Sequence, residues 1–143
     1  MKRTRVYAPW LLSLGAFLLT ANAVFAGTVG PYTITGSTVG WDWAQWRNTA
    51  ASTKATVKLK ACKDHSSGAG VWVDVKVWRN AGLFPPENQG QKRFYCSSTS
   101  TWTAKTWGSG APNMTGPENF WWENRGFQSG SSVDFKYKVS WDG

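Results

Sequence analysis

The sequence VWVDVKVWR, residues 71–79, decides the fold of this chain. Valine occupies every second position at its start, and a period of two is typical of a β-strand with one buried face. We predict that the four valines face the core. The opposite face then carries two indoles and two charged groups, namely Trp72, Asp74, Lys76 and Trp78.

The same alternation recurs along most of the chain and predicts an all-β protein. It is clearest in residues 55–62 and 133–141. Weaker strand patterns cover residues 32–35, 41–46, 93–97, 101–107 and 120–123. Residues 83–91 and 108–117 are rich in turn formers and are predicted as loops. About eight short strands favour a small two-layer antiparallel β-sandwich, with a small closed β-barrel as the alternative.

Residues 1–26 have the pattern of a secretory signal peptide. A basic n-region and a short apolar run precede two small-residue cleavage patterns, which end at Ala23 and Ala26. The apolar run is shorter than the roughly 20 residues that a membrane anchor needs. Cleavage after Ala26, the preferred site, leaves residues 27–143 as a single secreted β domain.

The charge of the chain is positive. It has 16 basic and 8 acidic residues, a net charge of +8, and three of the basic residues lie in segment 1–26. Residues 27–143 therefore carry a net charge of +5. This charge favours anionic partners such as envelope polymers, phospholipid headgroups or acidic proteins, and it also lies within the range that keeps small domains soluble.

Lysines form a second pattern on the strands. Five lie on faces that are predicted to point outward: Lys58, Lys60, Lys76, Lys136 and Lys138. If their strands are neighbours, one sheet has a positive face. Lysines on strands also prevent edge-to-edge pairing of sheets, and the pattern alone favours that explanation.

Cys62 and Cys96 are the two cysteines of the chain. An even number in a secreted chain predicts a disulfide, which joins Cys62 to Cys96. The alternation in residues 55–62 places Ala61 on the buried face and Cys62 on the outer face.

Signatures of catalysis are missing from the sequence. The single histidine, His65, lies in a polar turn and is predicted to be a solvated loop residue. One histidine and two paired cysteines do not make a zinc site, and no phosphate-binding loop motif is present. Glu118 and Glu123 flank an aromatic cluster, but nothing in their spacing marks them as a glycosidase pair. We therefore predict no enzymatic activity, no metal and no cofactor.

Tryptophan is the most informative residue type in the chain. Ten of the 11 tryptophans lie beyond residue 26. Three sets have odd spacings within one predicted strand and must divide between its two faces: Trp121 with Trp122, Trp102 with Trp107, and Trp46 with Trp41 and Trp43. If the strands are regular, one member of each set leaves the core together with Trp72 and Trp78, whereas Trp141 is expected inside.

The area of these indoles determines what their exposure means. Five would present about 1,000 Å², since each aromatic side chain offers roughly 150–250 Å². Soluble monomers rarely expose contiguous apolar patches beyond a few hundred Å². The indoles are therefore scattered, covered by loops, buried in an oligomer of unknown size, or part of a binding surface.

The leading functional prediction is a non-enzymatic secreted domain that binds a glycan or cell-envelope polymer. The predicted binding residues are Trp72, Asp74, Lys76, Trp78, Trp121 and Trp122. Indole faces stack on sugar rings, while flanking charged groups hydrogen-bond hydroxyls. Two alternatives are a cationic antibacterial or toxin-like protein that acts at anionic membranes, and an inhibitor that presents the loop around Pro85 and Pro86 to another secreted protein. Secretion argues against a nucleic-acid partner.

Overall fold

A computed structural model describes residues 27–48, 53–80, 82–108 and 118–142. The described residues form eight β-strands and no helix: β1 (Gly27–Ser37), β2 (Asp42–Arg47), β3 (Ala55–Asp64), β4 (Trp72–Arg79), β5 (Glu87–Tyr95), β6 (Thr103–Trp107), β7 (Asn119–Phe127) and β8 (Val133–Trp141). In this part of the chain there is accordingly no helix with the length and apolarity to cross a membrane. The predicted signal peptide, residues 1–26, lies outside the described residues.

The strands form two four-stranded antiparallel sheets. Sheet A has the order β1-β8-β3-β6, and sheet B has the order β2-β7-β4-β5. The two sheets do not close into a barrel, so the predicted sandwich is confirmed and the barrel alternative is wrong. In sheet A the interior strands are β8 and β3, and in sheet B they are β7 and β4.

The core lies between the inward faces of the two sheets. Val73, Val75 and Val77 of β4 are fully buried, as the alternation predicted. Trp122 lies among the core aromatics, with its ring centroid 5.6 Å from that of Phe135 and 5.3 Å from that of Tyr137. Each large apolar side chain buried in this way contributes roughly 1.5–3 kcal/mol to folding.

A β-bulge near the end of β3 corrects one prediction. Lys60 pairs with Lys136 and Lys63 pairs with Asp134, so Ala61 and Cys62 together oppose a single residue of β8. Ala61 adopts a left-handed backbone with φ of 55°, as the extra residue of a bulge often does. The bulge reverses the alternation. The prediction that Ala61 faces inward and Cys62 outward is therefore wrong, and Cys62 is fully buried.

The predicted disulfide between Cys62 and Cys96 is confirmed, with a Cα–Cα distance of 5.2 Å. Cys62 belongs to β3 of sheet A, and Cys96 directly follows β5 of sheet B. The bond therefore joins the two layers of the sandwich, and its presence is consistent with an oxidising, secreted compartment.

The polar edge strand β5 corrects a second prediction. Residues 83–91 were predicted as a loop, but β5 begins at Glu87 and pairs with β4 as far as Tyr95. Because β5 is an edge strand, most of its side chains are exposed and its sequence shows little apolar alternation. Of the other predicted loop, 108–117, only residue 108 lies within the described residues.

Candidate functional site

Trp121 with Trp122, and Trp102 with Trp107, divide between the surface and the core as predicted, whereas a register shift in β2 between Trp43 and Trp46 interrupts the alternation on which the third set relied. Trp46, Trp107 and Trp122 are buried at 3%, 3% and 0% exposure. Five others lie off the core and are partly or largely exposed: Trp41, Trp72, Trp78, Trp102 and Trp121. Trp141 is only partly buried and packs against the edge of the core. The side chain of Trp43 lies outside the described residues.

Three of the surface tryptophans share the outer face of sheet B. Trp72 and Trp78 lie at the two ends of β4, and Trp121 lies on β7 directly opposite Trp78. We call this outer surface of Trp72, Trp78 and Trp121 the indole face. Trp122 points to the opposite side and is fully buried, so it is removed from the predicted binding residues.

An open cleft of about 400 Å³ lies on the indole face beside β2. Its walls are formed by Gly40, Asp42, Trp78, Pro86, Trp121 and Glu123. Asp42 lies directly opposite Glu123 across the β2–β7 pairing. The cleft therefore combines two indoles from the central strands with two neighbouring carboxylates.

The turn before β2 is tied to β7, which fixes one wall of the cleft. The backbone N–H of Gly40 donates to the carbonyl of Asn124 at 2.7 Å, and the N–H of Asn124 donates to the carbonyl of Trp41 at 3.0 Å. Gly40 has a φ of 89°, a backbone conformation that residues with a Cβ rarely adopt. The wall is thus held by backbone geometry.

Trp78 is held in place by charged neighbours. Its indole Nε1 donates to Glu123 Oε2 at 2.7 Å, and Lys76 Nζ lies 4.1 Å from its ring centroid. Arg125 Nη1 donates to the second oxygen of Glu123, Oε1, at 2.9 Å. Because both ends of these contacts lie on adjacent interior strands, the Trp78 indole is pre-organised before any ligand binds.

The two carboxylates of the cleft affect each other. Partial desolvation raises the pKa of Asp42 above its ordinary value, and the nearby negative charge of Glu123 raises it further. A hydrogen bond from the Trp121 side chain acts in the opposite direction on the same pKa. As a carboxylate, Asp42 offers oxygens that can accept hydrogen bonds from a ligand.

At the other end of the indole face, Trp72 is covered by an arginine that is held by an aspartate. The Arg93 guanidinium stacks 3.6 Å from the Trp72 ring centroid. It also donates two hydrogen bonds to Asp74, at 2.8 and 2.9 Å. Asp74 is 8% exposed, and both of its oxygens accept hydrogen bonds from Arg93. It therefore holds Arg93 on the indole, whereas the sequence analysis expected it to hydrogen-bond a ligand. Tyr95, opposite Trp72, is 73% exposed and extends the aromatic surface.

The structure brings together only part of the predicted set. Trp78 and Trp121 share the cleft, Lys76 covers one side of Trp78, and Trp72 lies at the far end of β4. Sequence reasoning missed Asp42 as a site residue, because its position depends on the pairing of β2 with β7. Glu123 was noticed because it lies beside the aromatic cluster in the sequence, and in the structure it lines the cleft with Trp121.

The loop between β4 and β5 borders the cleft through Pro86. Its most exposed apolar side chains are Leu83, which is fully exposed, and Phe84, which is 76% exposed. The loop that the inhibitor alternative invokes therefore presents these two side chains in addition to its prolines.

The remaining titratable groups do not form a metal site within the described ranges, where no three His, Cys, Asp or Glu side chains are grouped to hold an ion. His65 is half-exposed in its turn, but its Nδ1 lies 2.7 Å from Asp134 Oδ1, so it is paired where a merely solvated residue was predicted. Comparison with known proteins finds no matching family model, no matching curated protein and no matching solved structure.

Proposed function

We propose that this protein is a secreted, non-enzymatic domain that binds a glycan of the cell envelope or a similar polymer through its indole face. One observation carries the proposal. Trp78 and Trp121 lie opposite each other on the two interior strands of sheet B and line a cleft with Asp42 and Glu123.

The chemistry of a sugar ring suits this cleft. A pyranose has an apolar face of C–H groups that stacks on an indole, and a rim of hydroxyls that can donate to the Asp42 carboxylate. The cleft volume of about 400 Å³ lies at the small end of the range for ligand sites, roughly 300–1,000 Å³. The open indole face continues toward Trp72, which favours an extended chain over a single small molecule.

The hydrogen bonds that occupy both oxygens of Glu123 support a role in binding without hydrolysis. A glycosidase needs one carboxylic acid to protonate the leaving group and a second carboxylate to attack the sugar or to activate water. In this cleft one Glu123 oxygen accepts from Trp78 and the other accepts from Arg125. Glu123 therefore already serves to orient Trp78.

The proposal is tested by co-sedimentation with chitin, cellulose and peptidoglycan that has been freed of phosphate-bearing polymers. The wild-type protein is expected to bind at least one of them. Trp78→Ala/Trp121→Ala should weaken that binding by about tenfold or more, because loss of a central aromatic anchor commonly costs 2 kcal/mol or more. Trp102→Ala is the matched control, since Trp102 is also partly exposed but lies beside β3 and β8 of sheet A.

Two results would contradict the proposal. Equal loss of binding in Trp102→Ala and in the folded Trp78→Ala/Trp121→Ala variant would exclude the cleft as the site. Release of soluble sugars from the polymer by the wild-type protein would show that the domain is an enzyme.

A further inference from the structure

The outer face of sheet A carries four lysines in register. Lys58 of β3 pairs with Lys138 of β8, and Lys60 pairs with Lys136. Directly opposite residues have their Cβ atoms about 4.5–5.5 Å apart, and like charges at such positions destabilise a sheet. We call these four residues the lysine face.

The position of these lysines rules out the explanation that the sequence favoured. Lysines that protect a sheet from edge-to-edge pairing belong on edge strands. In sheet A the edges are β1 and β6, whereas all four lysines lie on the interior strands β3 and β8. Protection of a sheet edge therefore does not explain the repulsion between these lysines.

Trp102 holds two of the four ammonium groups together. Lys60 Nζ and Lys138 Nζ each lie 4.8 Å from the centroid of its ring. The negative face of an indole attracts cations, so Trp102 offsets part of the repulsion between them. The face is thus pre-organised as a cluster of positive charge.

Protein carboxylates do not neutralise this cluster. Among the described residues, none of the four lysines forms an ion pair with an acidic side chain. The nearest acid along β8 is Asp134, which is engaged by Lys63, His65 and the backbone N–H of Gly36. The lysine face therefore remains available for an anionic ligand, because no acidic side chain of the described residues pairs with it.

We propose that the lysine face binds a linear polymer of polyol units joined by phosphodiesters. All four groups are ammonium ions, which bind phosphate oxygens as point charges. The two cross-strand pairs follow one another two residues apart, about 7 Å along the strands, which suits a chain of repeated single charges. The two most exposed apolar side chains, Leu83 and Phe84, belong to the β4–β5 loop of the other sheet, away from the four lysines.

The experiment measures binding of end-labelled poly(glycerol phosphate) to the purified protein over a range of salt concentrations. Lys58→Gln/Lys136→Gln removes one lysine from each pair and leaves the two that contact Trp102. We expect an affinity loss on the order of tenfold at low salt. The slope of the logarithm of the binding constant against the logarithm of the salt concentration should become shallower by the amount expected for about two lost phosphate contacts. Lys54→Gln/Lys105→Gln removes the same charge outside the face and should change both quantities little.

Three outcomes would overturn the proposal. The first is no measurable binding of poly(glycerol phosphate) by wild-type protein. The second is equal loss in the two double variants, which would assign binding to net charge. The third is tighter binding to phosphatidylglycerol vesicles than to the polymer with the same dependence on Lys58 and Lys136, which would make the face a membrane surface. Trp78→Ala/Trp121→Ala should leave polymer binding unchanged, so this proposal and the proposed function fail separately.

Discussion

At the scale of single residues, two adjacent tryptophans have opposite roles. Trp122 is fully buried and contacts Phe135 and Tyr137 across the sandwich. Trp121 turns to the other side of β7, where it lines the cleft together with Asp42. Because successive side chains of a strand point to opposite faces, Trp122 stabilises the fold, whereas its neighbour Trp121 is placed to bind a ligand.

The contrast can be measured with two single substitutions. Trp122→Ala should lower the free energy of unfolding by about 3–5 kcal/mol, because it leaves a large cavity in the core. Trp121→Ala should lower it by about 1 kcal/mol or less and should act on glycan binding instead. Urea denaturation followed by circular dichroism measures both variants. If Trp121→Ala proved as destabilising as Trp122→Ala, Trp121 would be a packing residue and the cleft would lose one wall.

At the scale of strands, the register of β3 on β8 turns a loose pattern of lysines into two like-charged pairs. Alternation alone places Lys58, Lys60, Lys136 and Lys138 on outward faces. Only the register places Lys58 opposite Lys138 and Lys60 opposite Lys136. If the arrangement exists for binding, it should cost stability in the absence of a ligand.

Lys58→Gln/Lys136→Gln is therefore expected to make the free protein more stable. Each like-charged cross-strand pair contributes a penalty of roughly 0.2–1 kcal/mol, and the double variant breaks both pairs. Thermal unfolding at low salt should show a higher midpoint, and the difference should shrink as salt screens the charges. The charge-matched variant Lys54→Gln/Lys105→Gln should show a smaller change. A lower midpoint for Lys58→Gln/Lys136→Gln would mean that the lysines stabilise the sheet.

Strands also show what sequence reasoning could and could not predict. The existence of β4 and β8 followed from their alternation, since one face of each is buried along most of its length. The bulge at Ala61 was not predictable, because the extra residue is defined by the partner strand. The start of β5 at Glu87 was missed because an exposed edge strand needs no apolar alternation. The cleft was missed for a related reason: Asp42 meets Glu123 only through a pairing of distant segments.

At the scale of the whole molecule, the two candidate surfaces lie on opposite sides of one sandwich. The indole face is built on β4 and β7 of sheet B, and the lysine face is built on β3 and β8 of sheet A. Each surface depends on pairings within a single sheet. The covalent link between the sheets, Cys62–Cys96, lies in the core, and neither cysteine lines the cleft or belongs to the lysine face.

Removal of the disulfide should therefore weaken the fold without dismantling either surface. Cys62→Ala/Cys96→Ala opens a loop with a sequence separation of 34 residues. On the chain-entropy model the loss is about 3–4 kcal/mol, because the unfolded chain regains the freedom that the cross-link had removed. Typical domains have about 5–15 kcal/mol of stability, so a folded fraction should remain at low temperature.

In that folded fraction, affinity for the glycan polymer and for poly(glycerol phosphate) should each stay within about twofold of wild type, because the registers that build both faces are held by backbone hydrogen bonds within each sheet. Denaturant titration gives the stability, and binding measured well below the unfolding midpoint gives the affinities. A variant that is folded by circular dichroism but has lost one affinity would show that the spacing between the layers shapes that surface. Loss of both affinities in such a variant would mean that the two faces are not independent.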